Sequence, residues 1–336
     1  MFGEAAAPLG NPLPLSIVVV SWNDWPKLCA CLTSIFASEA LPQCEILVID
    51  NASDDDTPTL VARRFPEATV HRNPTNIGHT RAVNHGFRLA RGEYVLLLDS
   101  DTELSADCIA RLLGFMRNHP AVDLVAPRTF NTDGTVQETA RNFPSPLSGV
   151  FGRQSTLTRL IPGNPFSRRY LAQHYLDESA PFPVQQVSGA CMFFRRGLLT
   201  EVGLWDERYF GYWVDTDWCY ALHAAGKRVF CVPAAQIVHH ESNARGKRKS
   251  LSRIWAFHFG AYQFYTRRRT LGHADPRSVI AGLALLARVG LMIARNQMLP
   301  TSPAARAPVA FRSDSPVEAV LKETVLKKES RDEFAG

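Results

Sequence analysis

Two short apolar runs, each ending directly in aspartate, constrain the fold of this 336-residue chain more than any other feature. Residues 45–49 read EILVI before Asp50, and residues 94–98 read YVLLL before Asp99-Ser100-Asp101. Continuous apolar runs of this length are typical of strands that are buried on both faces of a parallel sheet. Ligands of such sheets bind at the carboxyl ends of the strands, so these aspartates fall where a ligand is expected.

The neighbouring segments extend the same pattern. A third β-branched run, SIVVVS, occupies residues 16–21, and helical periodicity follows at about 26–38 and again at 79–90. Strands that alternate with helices predict an α/β fold with a doubly wound, mostly parallel sheet. Residues 130–185 are irregular and predict loops. Beyond them the sequence predicts strands at 187–195, 229–232 and 236–239, a helix at 218–225 and further helices from about residue 250.

Composition and charge exclude several classes of protein. A formal net charge of +5 is too small to indicate nucleic acid, so we expect none as a partner. Seven cysteines without a CxxC pair indicate free thiols in a reducing compartment, with neither disulfides nor a zinc site. The first residues lack the regions of a signal peptide, and no uncharged run of about 18 apolar residues predicts a membrane span. We therefore expect a cytoplasmic protein.

The Asp-Ser-Asp tripeptide at 99–101 is a candidate metal site. In an extended segment, Asp99 and Asp101 point to the same side. Carboxylates bind phosphate oxygens poorly unless a divalent cation lies between them, and Mg²⁺ or Mn²⁺ suits that task. His239 and His240 end a predicted strand and would add imidazole to the same edge of the sheet. The alternatives are a solvated turn for the tripeptide and a surface pair for the histidines.

Residues 210–218 (FGYWVDTDW) place two carboxylates among aromatic side chains just before a predicted helix. A carboxylate beside aromatic walls keeps enough basicity to accept a proton from a sugar hydroxyl. Aromatic faces also suit the apolar faces of sugar rings. The alternative makes Asp215 or Thr216 the N-cap of the helix and the aromatic residues part of the core.

Together these motifs resemble the inverting family 2 glycosyltransferases with a GT-A fold, and within them the bacterial rhamnosyltransferase-like branch. The resemblance covers about residues 15–240 and rests on the stretches 16–24, 45–57, 73–104 and 187–240. It implies an enzyme that moves a sugar from a nucleotide diphosphate to an acceptor hydroxyl. dTDP-rhamnose is the first choice of donor, with UDP-sugars as alternatives, and the implied acceptor is a cell-envelope polysaccharide or a lipid-linked glycan.

The resemblance also implies a role for individual residues on the donor side. Asp50 would hydrogen-bond the nucleotide base. Asp101 would bind Mg²⁺ or Mn²⁺, with Asp99 on the ribose or metal side and His239 as the third metal ligand. The other residues expected to bind or approach the donor are Asn51, Ser53, Asn76, Gly78, Arg81, Gly189 and Ala190, and Asn84 matches the same turn and helix.

On the acceptor side, Asp215 matches the catalytic base of the family, and Trp213, Glu207 and Asp217 are expected near the acceptor. A structural role is the alternative for Glu207. The family often reads Glu-Asp-x-Asp here, whereas this chain has Val214 in place of the first acid. A non-catalytic nucleotide-sugar-binding or scaffold protein of the same fold is therefore the alternative function. A nucleotidyltransferase is disfavoured because residues 21–27 (SWNDWPK) lack a glycine-rich phosphate loop.

The sequence predicts four segments: a flexible leader at 1–13, a GT-A domain at 14–243, a basic and aromatic helical extension at 244–300, and a polar, partly disordered tail at 301–336. Basic runs at 245–249 and 267–269 flank an aromatic stretch, and an apolar helix follows at 279–293. The extension would lie on the inner face of the cytoplasmic membrane. The alternative is that it packs on the catalytic domain with a solvated charged face.

Overall fold

The computed structural model describes residues 13–145, 161, 164–172, 178–240 and 250–297. The predicted leader (apart from residue 13), the basic run 245–249 and the tail 301–336 lie outside the described residues. The strands are β1 (Leu15–Ser21), β2 (Cys44–Asp50), β3 (Ala68–Arg72), β4 (Tyr94–Asp99), β5 (Thr102–Leu104), β6 (Leu124–Phe130), β7 (Phe182–Pro183), β8 (Cys191–Arg195) and β9 (Val229–His239). The helices are α1 (Trp25–Phe36), α2 (Thr57–Arg64), α3 (His79–Leu89), α4 (Cys108–Asn118), α5 (Pro165–Tyr170), α6 (Leu198–Glu201), α7 (Val214–Ala224), α8 (Leu251–Arg268) and α9 (Pro276–Gln297).

The strands form one sheet in the order β3-β2-β1-β4-β8-β6-β9-β5, with β7 also paired to β9. β1 is parallel to β2 and β4, β2 is parallel to β3, and β6 is parallel to β9. β8 runs antiparallel between β4 and β6, and β5 and β7 run antiparallel to β9. The predicted α/β fold with a doubly wound, mostly parallel sheet is confirmed.

Helices cover both faces of the sheet, which explains why its central strands contain continuous apolar runs. Every residue of β1 is buried. Ile17 and Val19 join one core cluster with Leu32 of α1, whereas Val18 joins a second cluster on the opposite face with Phe87 of α3. Successive side chains of a strand point to opposite faces, so a strand covered on both sides is apolar at nearly every position.

Several elements differ from the sequence predictions. The two strands expected at 229–232 and 236–239 are one strand, β9, whose pairing with β6 shifts register between Pro127 and Arg128. The helix expected at 218–225 begins earlier, at Val214, directly after Trp213 in a left-handed backbone conformation (φ +73°). The described part of the predicted loop region contains the short elements α5 and β7. All seven cysteines are free, as predicted.

The described part of the C-terminal extension consists of α8 and α9, which pack on each other. Gly282 of α9, for example, lies against the ring of Tyr262 of α8. By length and composition alone, α9 could cross a membrane. The expectation that no helix would meet this criterion is therefore wrong. Arg277, Arg288 and Arg295 leave this helix without an uncharged run of 18 residues, but its mean hydropathy still reaches that of a membrane-spanning helix.

Candidate active site

The aspartates that end β2 and β4 lie at the same edge of the sheet. β1 runs between these two strands, with Ser21 opposite Asp50 and Val20 opposite Asp99. Neighbouring strands lie about 4.8 Å apart, so two strand spacings separate the two aspartates by roughly 10 Å. The edge predicted from the sequence therefore carries both acidic groups.

Asp99, Asp101 and His239 form one cluster at this edge, with one ligand atom of each residue within 4.8 Å of the others. β5 brings them together, because Thr102 pairs with His239 and the His240 N–H donates to the Asp101 carbonyl at 2.8 Å. His239 Nε2 lies 3.2 Å from Asp101 Oδ1. The two carboxylates and the imidazole predicted as metal ligands thus converge.

Gln137 fixes the orientation of the His239 ring. Gln137 Oε1 lies 2.9 Å from His239 Nδ1, while Gln137 Nε2 donates to Asn131 Oδ1 at 3.1 Å. The amide oxygen therefore accepts, and Nδ1 of His239 carries the proton. Nε2 then faces Asp101 with either a second proton or a lone pair. With the second proton, Nε2 donates to Asp101; with the lone pair, Nε2 and the two carboxylates fit a divalent metal such as Mn²⁺ or Mg²⁺ between them.

The two aspartates of the cluster differ in acidity. Burial raises the pKa of Asp99; attraction from His79 opposes this effect, and repulsion from Asp101 and Asp215 adds to it. Burial also acts to raise the pKa of Asp101, but the hydrogen bond and charge of His239 hold that pKa below its ordinary value. Asp101 is therefore the more readily ionised member of the pair. A bound cation would relieve the repulsion that Asp99 experiences.

The dipeptide Gly189-Ala190 connects this cluster to Asp215, the second residue of α7. The Ala190 carbonyl accepts a hydrogen bond from the Asp99 N–H at 3.0 Å, and the Gly189 N–H donates to Asp215 Oδ2 at 3.3 Å. A Cβ on Gly189 would lie 2.8 Å from the Trp205 indole and 3.8 Å from Asp215 Cβ. Glycine is required here because the backbone passes between these side chains.

Asp50 and Ser53 form a closed hydrogen-bond network in the predicted nucleotide pocket. Asp50 is fully buried, and its Oδ2 accepts from the Ser53 N–H at 3.2 Å and lies 3.4 Å from Arg72 Nε. Arg72 also donates to the Ser53 carbonyl at 2.8 Å, and Ser53 Oγ accepts from the Asn23 N–H at 2.9 Å. The loop after β2 is thus tied to both β3 and the loop after β1.

Asn51 and Asn76 extend this network to the start of α3. Asn51 Nδ2 donates to Asn76 Oδ1 at 3.0 Å, and the same oxygen accepts from the Gly78 N–H at 3.0 Å. Gly78 has φ +84°, and a Cβ there would lie 3.2 Å from the Phe210 ring. The predicted donor residues Asn51, Asn76 and Gly78 therefore lie together, in a turn that requires glycine.

Arg81 and Glu207 belong to a polar cluster between α3 and the loop before α7. The Glu207 carboxylate accepts from Asn84 Nδ2 and Arg88 at 3.1 Å each and lies 3.3 Å from Arg81 Nε. Asn84 also bonds the backbone of Trp205: its Nδ2 donates to the Trp205 carbonyl at 2.8 Å, and its Oδ1 accepts from the Trp205 N–H at 3.0 Å. These contacts favour a structural role for Glu207. Its acceptor role, and the approach of Arg81 to a diphosphate, stay predictions.

Trp213 and Asp217 contact α8. The Trp213 indole packs against Gly260, with 2.9 Å between its Cδ1 and the position of a Cβ on that glycine. Asp217 is 3% exposed and accepts two hydrogen bonds from Arg268, at 2.7 and 2.8 Å, and one from the Tyr209 hydroxyl at 3.0 Å. These contacts favour structural roles, so acceptor binding by either residue stays a prediction.

Sequence reasoning missed three side chains that surround the acidic cluster. His79 Nε2 lies 3.7 Å from Asp99 Oδ1, and Lys27 Nζ lies 3.9 Å from Asp101 Oδ2. Gln137 is the third, through His239. His79 and Lys27 occupy the first turns of helices that follow strands ending at this edge. A polar residue at that position could have been predicted to face the site. Gln137 lies in an irregular segment, where no periodicity marks it.

Comparison with known sequences identifies several relatives. The sequence profile of glycosyl transferase family 2 matches residues 16–203. An N-acetylglucosaminyl-diphospho-decaprenol L-rhamnosyltransferase of Mycobacterium tuberculosis is 30% identical over 267 residues, which are 76% of this chain and 85% of the relative. The glycosyltransferase YwdF of Bacillus subtilis, itself uncharacterised, is 29% identical over 238 residues, which are 69% of this chain and 76% of the relative.

Solved structures show the same fold at low identity. GalNAc-T7, crystallised with UDP, GalNAc and Mn²⁺, superposes with a TM-score of 0.56 at 14% identity, over 94% of this chain and 55% of that one. Staphylococcus aureus TarS superposes with a TM-score of 0.51 at 15% identity, over 85% of this chain and 50% of that one. This chain therefore spans about half the length of the two solved chains, and the likeness concerns the fold alone.

Proposed function

Because this chain belongs to glycosyl transferase family 2, we propose that it is an inverting, metal-dependent transferase that moves L-rhamnose from dTDP-L-rhamnose to N-acetylglucosaminyl diphospho-prenol. The sugar and the acceptor follow those of the M. tuberculosis relative, an N-acetylglucosaminyl-diphospho-decaprenol L-rhamnosyltransferase. The observation that carries the proposal is the Gly189-Ala190 dipeptide, which hydrogen-bonds both Asp99 and Asp215. This contact supports the assignment of a base close to a metal and diphosphate site.

Asp215 is the proposed general base. Its Oδ1 accepts from the Thr216 N–H at 2.8 Å and its Oδ2 from the Gly189 N–H at 3.3 Å, so both oxygens have a fixed direction. The carboxylate would take the proton of the acceptor hydroxyl while the oxygen attacks the anomeric carbon opposite the leaving diphosphate. One displacement inverts the configuration. Val214 in place of a second acid leaves this step to Asp215.

The donor side is proposed to divide into two parts. Asp50, Asn51 and Ser53 would bind the nucleotide base and keep the loop after β2 in place. Asp99, Asp101 and His239 would hold Mn²⁺ or Mg²⁺, which, when bound, stabilises negative charge on the departing diphosphate. This division agrees with the sheet register, in which β1 lies between the two strands that end in Asp50 and Asp99.

Donor identity is tested by thermal melting of the purified chain with a panel of nucleotide sugars, with and without Mn²⁺. We expect the largest stabilisation with dTDP-L-rhamnose plus Mn²⁺, followed by transfer of rhamnose to a short-chain N-acetylglucosaminyl diphospho-prenol. UDP-glucose, UDP-N-acetylglucosamine and UDP-galactofuranose serve as competing donors. Stabilisation by a UDP-sugar alone would refute the choice of donor. Donor binding without turnover for any donor would instead favour the non-catalytic alternative.

We further propose that residues 14–243 form the catalytic domain and that the following extension binds an anionic membrane surface. The exposed side of α9 is apolar, with 51–73% exposure for its five large aliphatic residues, which are Val279, Ile280, Leu283, Leu286 and Leu291. Arg277, Arg288 and Arg295 are spaced by 11 and 7 residues, about three and two turns, so they form one stripe along the helix.

Charge favours a membrane as the partner of this face. Residues 250–297 contain seven arginines and one aspartate, so they carry an excess of positive charge. A basic helix with a broad apolar face binds at the interface of anionic bilayers through both features. The alternative, in which the extension packs on the catalytic domain with a solvated charged face, does not account for the exposed aliphatic residues of α9.

Co-sedimentation with vesicles tests this second proposal. We expect the chain to pellet with phosphatidylglycerol-containing vesicles at low salt and much less with purely zwitterionic ones. The double substitution Leu283→Gln and Leu291→Gln should weaken binding at least ~10-fold, because burying each leucine contributes about 1.5–3 kcal/mol. Ile161→Gln, which removes an exposed aliphatic side chain elsewhere, is the control. Wild-type protein that stays in the supernatant with anionic vesicles would contradict the proposal.

A further inference from the structure

Arg141 is a basic residue held next to the proposed base by its own backbone. Its N–H and carbonyl form two hydrogen bonds with the backbone of Gln186, each 2.9 Å long. Gln186 Oε1 in turn accepts from the Thr216 hydroxyl at 2.5 Å, and Gln186 lies three residues before the glycine that binds Asp215. Arg141 is therefore anchored to the same short segment that orients the start of α7.

The guanidinium of Arg141 has polar neighbours, but one of its N–H donors has no hydrogen-bond partner among the described residues. Burial acts to lower its pKa, but the Tyr170 hydroxyl and the carboxylates of Asp215 and Glu138 raise that pKa above its ordinary value. Among the described residues, no carboxylate forms an ion pair with Arg141, and its buried Nε has no hydrogen-bond partner. Arg141 itself keeps partial exposure to solvent.

A buried N–H donor normally has a partner, so the Arg141 Nε, which has none among the described residues, leaves a hydrogen bond unmade. Asp215 interacts electrostatically with Arg141 and also with Asp99. The proposed base thus has a metal-ligand cluster and a cation as neighbours. In the proposed function the metal on the Asp99, Asp101 and His239 cluster binds the donor diphosphate. The Arg141 guanidinium is then available for a second anionic group.

We propose that Arg141 binds the diphosphate of the lipid-linked acceptor and so positions the acceptor sugar with its hydroxyl at Asp215. This inference rests on the proposed function, because only an acceptor of that class carries a diphosphate one sugar ring away from the reacting hydroxyl. Arginine presents a planar fork of donors that matches phosphate oxygens in pairs. Arg141 is then a determinant of acceptor specificity and takes no part in donor binding.

The test compares two acceptors: a short-chain N-acetylglucosaminyl diphospho-prenol and a neutral N-acetylglucosaminide of the same prenol. Charge-assisted hydrogen bonds to phosphate predict that Arg141→Gln lowers kcat/KM for the diphosphate acceptor by about 10–100-fold. The value for the neutral acceptor should change by less than about threefold, and so should donor KM and hydrolysis of the donor by water. The ratio of the two kcat/KM values therefore reports the contact.

Two further variants keep the test decisive. Arg168→Gln removes the same charge from an exposed position on α5 and should leave both acceptors unaffected. Arg141→Lys keeps the charge without the fork, so it should give an intermediate loss on the diphosphate acceptor alone, even if Arg141→Gln folds poorly. Equal losses on both acceptors, or none, with active wild-type enzyme would overturn the Arg141 assignment alone. Wild-type enzyme that transfers to neither acceptor would overturn the proposed function together with it.

Discussion

Single residues of this site are held by backbone groups as much as by side chains. The Asp99 N–H, the Ala190 carbonyl and the Gly189 N–H form a short path of hydrogen bonds from the acidic cluster to Asp215. Backbone groups of a sheet and its adjoining turn move little, so they hold the carboxylates more rigidly than flexible side chains would. Small changes at Gly189 should therefore affect chemistry more than binding.

Gly189→Ala should lower kcat by about 10–100-fold, because the new methyl group collides with Trp205 and displaces the Gly189 N–H from Asp215. Donor-induced thermal stabilisation should persist, since the acidic cluster is formed by other strands. Steady-state kinetics with melting curves measures both effects. Gly114→Ala, at a helix position with open space around it, is the matched control. A Gly189→Ala enzyme with the wild-type kcat would contradict the role given to this dipeptide.

Gln137→Leu should weaken Mn²⁺ binding by about 10-fold or more, because His239 loses the acceptor that fixes its ring and its protonated nitrogen. Electron paramagnetic resonance of free Mn²⁺ measures this affinity without any turnover. Gln236→Leu, at an exposed position of β9, is the control. Unchanged Mn²⁺ affinity in a folded Gln137→Leu protein would show that the hydrogen bond has no part in metal binding.

Among the elements, strands were predictable and helix starts were less so. β2 and β4 are apolar at successive positions because helices cover both faces of the sheet. Such a continuous apolar run can be recognised directly in the sequence. No sequence pattern marked the start of α7. It depends on Trp213 at φ +73°, a conformation that is unusual for a bulky residue and that packing against α8 supports.

The pairing of α7 with α8 gives a prediction about stability. Arg268→Ala should lower the free energy of unfolding by about 3 kcal/mol, because it leaves the buried Asp217 carboxylate without its cation. Arg269→Ala, at an exposed neighbouring position, should cost less than about 1 kcal/mol. Urea denaturation measures both. Equal losses for the two variants would mean that the buried pair contributes no more than a surface charge.

Across the whole molecule, the sequence predicted which residues are chemically important better than it predicted their partners. Asp99, Asp101 and His239 converge as expected, because β5 follows β4 directly and pairs with the end of β9. Gln137 and Arg141 were missed, since their positions depend on an irregular segment that folds back between distant strands. The ability of α9 to span a membrane by length and composition was also missed, because its three arginines leave no uncharged run of about 18 apolar residues.

The most direct test of the central claim, that Asp215 acts as base beside a separate donor and metal cluster, is the rate of rhamnose transfer by Asp215→Asn at saturating dTDP-L-rhamnose and Mn²⁺. Removal of a positioned base should lower kcat by about 10²–10⁴-fold while donor and Mn²⁺ affinities stay within about threefold of wild type. Asp101→Ala should instead weaken both affinities together. Near wild-type transfer by Asp215→Asn would contradict the account.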